Sequence, residues 1–179
     1  MTEGRQAQRG SGRVAATGPA WRAADAGDFR EAMARLAAGV VVVTTRDASG
    51  QPQGLTATSL CSVSLDPPLV LTCIAHSASS HPAFMACRSF AVSVLRESHA
   101  VAASGFARSG PDKFVTRDLT LTPSSHLTLP DALCRLDCAV HARHRAGDHT
   151  ILVGRVLGLS TADGDPLVYY GRRFRTLAP

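Results

Sequence analysis

Between two apolar, β-branched runs lies Gly54-Leu55-Thr56-Ala57-Thr58-Ser59, a segment of mostly small and hydroxylated residues. Such residues leave room for a flat ligand against the backbone. Their amides and hydroxyls can bond ring carbonyls and nitrogens without crowding the ring face. A strand that simply prefers threonine reads the same way. Ser79 and Ser80 stand just before Pro82, where a short helix can begin, so hydroxyls and exposed amides there suit an anion; an ordinary serine-rich turn fits them too. Gly147-Asp148-His149 sets an imidazole at the start of a β-branched run. Arg172, Arg173 and Arg175 make the one dense basic patch. It suits the phosphates of a dinucleotide better than a long polymer, which needs many contacts. A solvated basic end is the plainer alternative.

Other chemistries are missing. No GxGxxG opens a helix, and there is neither a P-loop nor a GxSxG elbow. His76 and His81 share a loop, and His141, His144 and His149 fall close in sequence, yet no acidic pair completes a metal site. No metal is expected. The five cysteines are odd in number, and Cys134 and Cys138 lack Cys-x-x-Cys spacing. Buried thiols in a reducing cytoplasm are the expectation.

The chain has 179 residues, 45% of them hydrophobic and 18% charged, which fits one domain with a substantial core. No apolar run approaches the roughly 20 residues that span a bilayer. No basic stretch followed by an apolar one marks a secretory signal. Residues 1–27 read as a flexible, solvated tail, with residues 28–179 as the domain. A docking arm is the sharper reading of that tail. Of the 19 basic residues 18 are arginine, but they are scattered and aromatics are only 5%, so no nucleic-acid platform is expected.

The elements that must position these groups follow from periodicity. A helix is expected over Phe29 to Ala38, with Asp28 as N-cap, Glu31 as its capping-box partner and Gly39 ending it. Phe29, Met33, Leu36 and Ala37 would face the core. Val40 to Thr45 reads as a central strand, turning through Asp47 to Gly50 into Pro52 to Ser59. Ser62 to Leu65 and Leu69 to Ile74 flank Asp66-Pro67-Pro68. A short helix over Pro82 to Cys87, a strand over Phe90 to Leu95 and a helix over Ser98 to Phe106 follow. Val115 to Leu129 has no firm pattern. Leu133 to Ala142, Thr150 to Leu159 and Leu167 to Tyr170 read as strands. Turns too short for parallel crossovers imply a mainly antiparallel barrel with peripheral helices.

Six segments recur in order: GVVVVTT after a helix, GLTATSLCSVSLDPPLVLTC, FAVSVL, SGFARSGPDKF, GDHTILVGRV and PLVYYGRRFRTL. Together they resemble the flavin reductase-like family, small reductase components that supply reduced flavin to two-component monooxygenases. The similarity runs from Phe29 to Leu177 and is strongest toward reductases encoded with actinobacterial aromatic-polyketide pathways. The resemblance implies a split β-barrel flavin-binding fold, antiparallel and Greek-key-like, built as a homodimer. It implies that Leu55, Thr56, Thr58 and Ser59 line the isoalloxazine ring, with Cys73, Ile74 and Ala75 at a second ring edge. Ser79 and Ser80 match the loop that holds the flavin phosphate, where His81 stands in for a basic residue of some relatives. Gly105 and Phe106 match a further flavin contact, followed by the turn Asp112-Lys113-Phe114. His149 matches the residue facing the nicotinamide side and is the catalytic candidate, orienting or polarising the ligand or giving a proton to reduced flavin. Tyr170, Arg172, Arg173 and Phe174 match the segment that closes over the dinucleotide.

The implied activity is NAD(P)H:flavin oxidoreduction, with FMN or FAD as acceptor and NADH or NADPH as donor. The small serine-rich loop leans toward FMN. Reduced flavin would pass to a partner monooxygenase in the cytoplasm, with no nucleic acid and no membrane involved. A flavin- or haem-binding split barrel without reductase activity is the alternative. An oligomeric structural subunit of an oxygenase is a third.

Overall fold

A computed structural model describes residues 21–114 and 118–177. The expected tail therefore lies largely outside the described residues. The chain opens with α1 (Ala26–Met33), β1 (Ala38–Gly39), β2 (Val41–Arg46) and β3 (Pro52–Ala57). Next come β4 (Cys61–Leu65), β5 (Pro68–Ala75), α2 (His81–Ala86), β6 (Ser89–Val94) and α3 (Ala100–Phe106). The remainder is β7 (Thr120–Leu121), β8 (Leu127–Thr128), β9 (Cys134–Ala146), β10 (His149–Thr161), β11 (Val168–Tyr170) and β12 (Arg173–Arg175).

Seven strands form one antiparallel sheet in the order β3-β2-β6-β9-β10-β5-β4. One core cluster joins Val41 and Val43 of β2 and Ala57 of β3 to Ile74 of β5 and Leu152 of β10, so the sheet curls round on itself. Its two edges, β3 and β4, are not hydrogen-bonded to each other. This is the split of a split β-barrel. The neighbours β5–β10 and β6–β9 are distant in sequence, as a Greek-key path requires.

Strand β2 shows why the barrel and its attachments hold together. Val40, Val41, Val42 and Val43 are each at most 1% exposed. Val41 and Val43 point into the barrel, whereas Val40 and Val42 point into a second core with Ala102, Ala103 and Phe106 of α3 and Leu167. Burial on both faces explains an unbroken β-branched run in place of alternation. Each fully buried valine contributes about 1.5–3 kcal/mol. The turn after β2 is fixed by the Asp47 carboxylate, which accepts from the Ser49 and Gln51 amides at 2.9 and 3.0 Å, while Gly50 takes φ +79°.

Several boundaries differ from the sequence reading. Helix α1 begins at Ala26 and ends at Met33, capped by Asp25, whose Oδ1 accepts from the Asp28 amide at 2.8 Å. Asp28 sits inside its first turn. Phe29, Met33, Leu36 and Ala37 are exposed, not buried. Gly39 is paired in β1 with Val168 rather than ending a helix. Strand β9 runs on past Ala142 to Ala146, paired with β10, and the two meet at the two-residue turn Gly147-Asp148. Backbone pairing supplies what the side-chain pattern does not announce. Thr120–Leu121 and Leu127–Thr128 pair as a small hairpin inside the stretch that lacks a firm pattern, and β12 is an addition to the expected strands. Cys61 is exposed on the edge strand. Cys138 is buried, and burial pushes its thiol up to about 12.

Candidate active site

A cavity of about 440 Å³ opens where the barrel is split. One wall is β3 and the link after it, Leu55 to Ser59; a second is the end of β5, Cys73 and Ala75, continued by Ala78, Ser79 and Ser80. The end of α3 and the chain beyond it supply Phe106, Ala107, Arg108, Ser109 and Lys113. His149 stands at the start of β10, in register with Ala75. Tyr169 of β11 and Phe174 of β12 close the remaining side, their rings edge-on with centroids 5.7 Å apart. The double-sided burial of β2 brings these parts together, since it seats α3 and the C-terminal hairpin against the outside of the barrel.

The hydroxyl groups divide into structural and unspent ones. Thr56 donates to the Ala103 carbonyl at 2.7 Å and so ties β3 to α3. Ser59 accepts from the Cys73 amide at 2.9 Å and ties the two walls across the split. Ser80 is different. It is 1% exposed, lines the cavity, and its Oγ has no hydrogen-bond partner among the described residues. A buried hydroxyl left unpaired costs stability unless a ligand completes it. Thr58 and Ser79 are exposed at the opening.

Charge in the cavity is positive. Lys113 is 9% exposed, donates from Nζ to the Gly54 carbonyl at 3.0 Å, and burial holds its ammonium below the usual lysine range. Arg108 is exposed on the rim. His149 Nδ1 lies 2.7 Å from Asp148 Oδ1, and this contact holds the Asp148 carboxyl below the usual carboxylate range. The Nδ1 hydrogen is thereby committed to Asp148, which leaves Nε2 as the ring atom for a ligand.

Of the residues singled out from sequence, Leu55, Thr56, Thr58, Ser59, Cys73, Ala75, Ser79, Ser80, Phe106, His149 and Phe174 line this cavity. Five do not. Ile74 points the other way on β5 and is 0% exposed in the barrel core. Gly105 lies one residue before the cavity wall at Phe106. Tyr170 faces solvent because strand alternation turns Tyr169 inward instead. Arg172 takes φ +62° in the β11–β12 turn and pairs with Glu31 of α1 at 2.6 Å. Arg173 is exposed outside the cavity. The lining residues Ala57, Ala78, Ala107, Arg108, Ser109 and Tyr169 are not among the sequence candidates, and Lys113 enters there only as part of a turn. The alternation of β11 is the available signal for Tyr169; the others depend on how the segment after α3 folds back. Among the described residues no group of three His, Cys, Asp or Glu side chains is placed to hold a metal. No helix among them is long and apolar enough to cross a membrane.

Comparison with known proteins gives this cavity its context. Residues 33–178 match the family model described as flavin reductase like domain. The actinorhodin polyketide dimerase of Streptomyces coelicolor is 47% identical over 156 residues, covering 87% of this chain and 88% of that protein. The NADH-dependent FMN reductase SmoA of Agrobacterium fabrum is 43% identical over 146 residues, covering 82% of this chain and 83% of that one. Among solved structures, the Streptomyces globisporus NADH:FAD oxidoreductase, in complex with NAD and FAD fragments, superposes with a TM-score of 0.82. It is 38% identical and covers 87% of this chain and 94% of its own. The split barrel, the cavity at its opening and these relatives agree, and the chain belongs to the flavin reductase-like family.

Proposed function

We propose that this chain uses NADH to reduce a flavin, FMN or FAD, in the cavity at the barrel split, and that the reduced flavin passes to a partner monooxygenase. The observation that carries the placement is the open cavity at the barrel split, lined by small and hydroxylated residues together with Lys113 and His149, with a buried Ser80 hydroxyl in its wall that has no hydrogen-bond partner among the described residues. A phosphate oxygen is the acceptor it fits. Ser79 and Ser80 hold that phosphate, and the backbone of residues 55–59 with Cys73 and Ala75 offers a flat, small-residue bed for the ring. The nicotinamide supplies a hydride and the flavin accepts it, so the protein needs neither a nucleophile nor a strong base. Its own work is alignment and charge. His149, braced by Asp148 through Nδ1, presents Nε2 to the nicotinamide side. Lys113 contributes positive charge to the wall, where a reduced, anionic ring gains from it.

Release follows from the same geometry. The cavity is open, and the protein holds the flavin through few polar groups, so the flavin acts as a substrate. FMN-dependent oxidation of NADH in air, with most flavin colour lost on gel filtration, is the expected result. A protein that binds flavin firmly yet leaves NADH untouched would instead be a passive binder.

The chain is also read as one half of a homodimer. Val63 and Leu65 on the edge strand β4, Leu157 and Leu159 on β10, and Phe29 and Met33 on α1 are exposed apolar side chains that a second copy would cover. Light scattering on the purified protein should give twice the chain mass, and Leu65→Glu with Leu157→Glu should reduce it. The cysteines of the described residues are all free, which suits a reducing cytoplasm.

A further inference from the structure

Neighbouring residues along a strand point to opposite faces, so the wall of the flavin cavity has a reverse side. Ala75, Ser80 and His149 line the cavity. Their sequence neighbours His76, His81 and Thr150 line a separate open cleft instead. Nothing in flavin reduction as described above uses these three, yet they meet at one atom. Nε2 of His76 and Nε2 of His81 each lie 3.2 Å from Thr150 Oγ1, and the two rings stand edge-on with centroids 5.0 Å apart. Thr150 is 6% exposed. One hydroxyl has a single hydrogen to give, so at least one imidazole donates to it. The hydroxyl is the shared point of a three-residue clamp.

The clamp joins the two parts of the chain that must act together. Ser79 and Ser80 belong to the link between β5 and α2, and His149 opens β10. Local turns fold that link on itself: the Ala75 carbonyl accepts from the Ala78 amide at 3.0 Å, and the Ala78 carbonyl from the His81 amide at 2.9 Å. One backbone bond crosses to the β9–β10 turn, from the His76 amide to the Asp148 carbonyl at 2.9 Å. Among the described residues, the side-chain hydrogen bonds between residues 76–81 and β10 are the two imidazole contacts to Thr150. Ser80 Oγ has no partner among the described residues, so its place is set through its backbone, one residue from His81. His149 is likewise one residue from Thr150. Loosening Thr150 therefore frees Ser80 relative to His149 without removing a contact from either.

On the flavin reading above, we propose that Thr150, holding His76 and His81, is a positioning residue for hydride transfer. The clamp sets the spacing between the phosphate anchor at Ser79 and Ser80 and the nicotinamide side at His149. Hydride transfer demands reacting atoms about 3–3.5 Å apart, and a displacement of about 1 Å costs up to about a hundredfold in rate. Binding tolerates such a displacement, because each ligand keeps its own contacts. Alignment, not affinity, is what the clamp supplies.

Rapid anaerobic mixing of NADH with protein and FMN reads the hydride step, and fluorescence titration reads the FMN Kd. Thr150→Val keeps the branching of the side chain and deletes its hydroxyl. At saturating NADH its bleaching rate should fall about tenfold. The FMN Kd and the NADH concentration for half-maximal rate should stay within about twofold of wild type, as for an interaction that acts only in the transition state. Thr150→Ser keeps the hydroxyl and should restore most of the rate. His81→Ala should slow the wild type but add little to Thr150→Val, since both break one clamp. An unchanged bleaching rate in Thr150→Val, or a Thr150→Ser protein as slow as Thr150→Val, overturns the assignment. So does an FMN Kd raised as much as the rate falls, which makes Thr150 part of the binding scaffold. If Thr150→Val shows no thermal transition, His76→Ala and His81→Ala decide: slow bleaching at an unchanged FMN Kd supports the clamp, and a normal rate in both overturns it. A wild type that binds no FMN, or leaves it unreduced, refutes the underlying flavin reading instead.

Discussion

Ser80 and His149 carry the chemistry at the level of single side chains, and each makes a separable prediction. Ser80→Ala removes a buried hydroxyl that has no partner among the described residues, so the ligand-free protein should keep or slightly raise its Tm. The flavin Kd should nonetheless rise about tenfold or more, because a charge-assisted bond to phosphate is lost. A lowered Tm with unchanged flavin affinity would make Ser80 a packing residue. Asp148 acts through His149. Asp148→Ala should change the pH dependence of kcat/KM, with Asp148→Asn restoring part of the wild-type rate by keeping an acceptor on Nδ1; identical pH profiles in all three proteins would deny Asp148 a positioning role. Residue identity marks both groups only as candidates, a serine pair ahead of a proline and an imidazole after Gly-Asp; the family resemblance supplies the roles given to them. What the sequence hides is which hydroxyls are spent internally. Thr56 and Ser59 look like ligands but stitch the cavity walls, and only the fold reveals those partners.

Strand β10 illustrates the element scale. Its register shifts between Val153 and Gly154, where the strand passes over the Phe90 ring. A Cβ built on Gly154 would stand 2.7 Å from Phe90 Cε1, and Phe90 is 0% exposed. Gly154→Ala should therefore cost about 1–3 kcal/mol by overpacking, read as a lowered denaturant midpoint. A neutral effect would mean that the β9–β10 ribbon yields there. The β-branched runs of β2 and β5 are plain in sequence because they are buried. Sequence places helix α1 too late because Asp28 with Glu31 imitates a capping box, whereas Asp25 is the residue that caps. Its apolar residues suggest a core that a single chain does not provide. The end of β9, Arg143 to Ala146, looks like loop because backbone pairing with β10, rather than side-chain alternation, holds it.

At the scale of the whole molecule, three histidines tie stability to pH. Burial is the first cause holding His81, His99 and His126 below the usual imidazole range. His126 pins the β7–β8 excursion to the barrel, with Nε2 at 2.7 Å from Ser89 Oγ. In the unfolded chain each ring binds its proton near pH ~6.5. Between that value and the lower folded values the unfolded chain holds more protons, so stability falls as pH drops through this window. It is fully present above it. The urea midpoint should be lower at about pH 5 than at about pH 7, and His126→Gln should shrink the difference. A midpoint that rises on acidification would contradict this. Barrel class and antiparallel order can be read from turn lengths and β-branched runs, but the closing of α3 and the C-terminal hairpin over one side of the split cannot, since it depends on long-range packing onto the second face of β2.

The account turns on NADH delivering its hydride to a flavin beside His149. Rapid anaerobic mixing of NADH with protein and FMN, followed at the flavin absorbance band, tests this most directly. Fast bleaching is predicted for the wild type. His149→Ala should need markedly more NADH for half-maximal rate while its FMN Kd stays the same. Absence of bleaching in the wild type, or a His149→Ala protein that loses FMN affinity and keeps its NADH dependence, would contradict it.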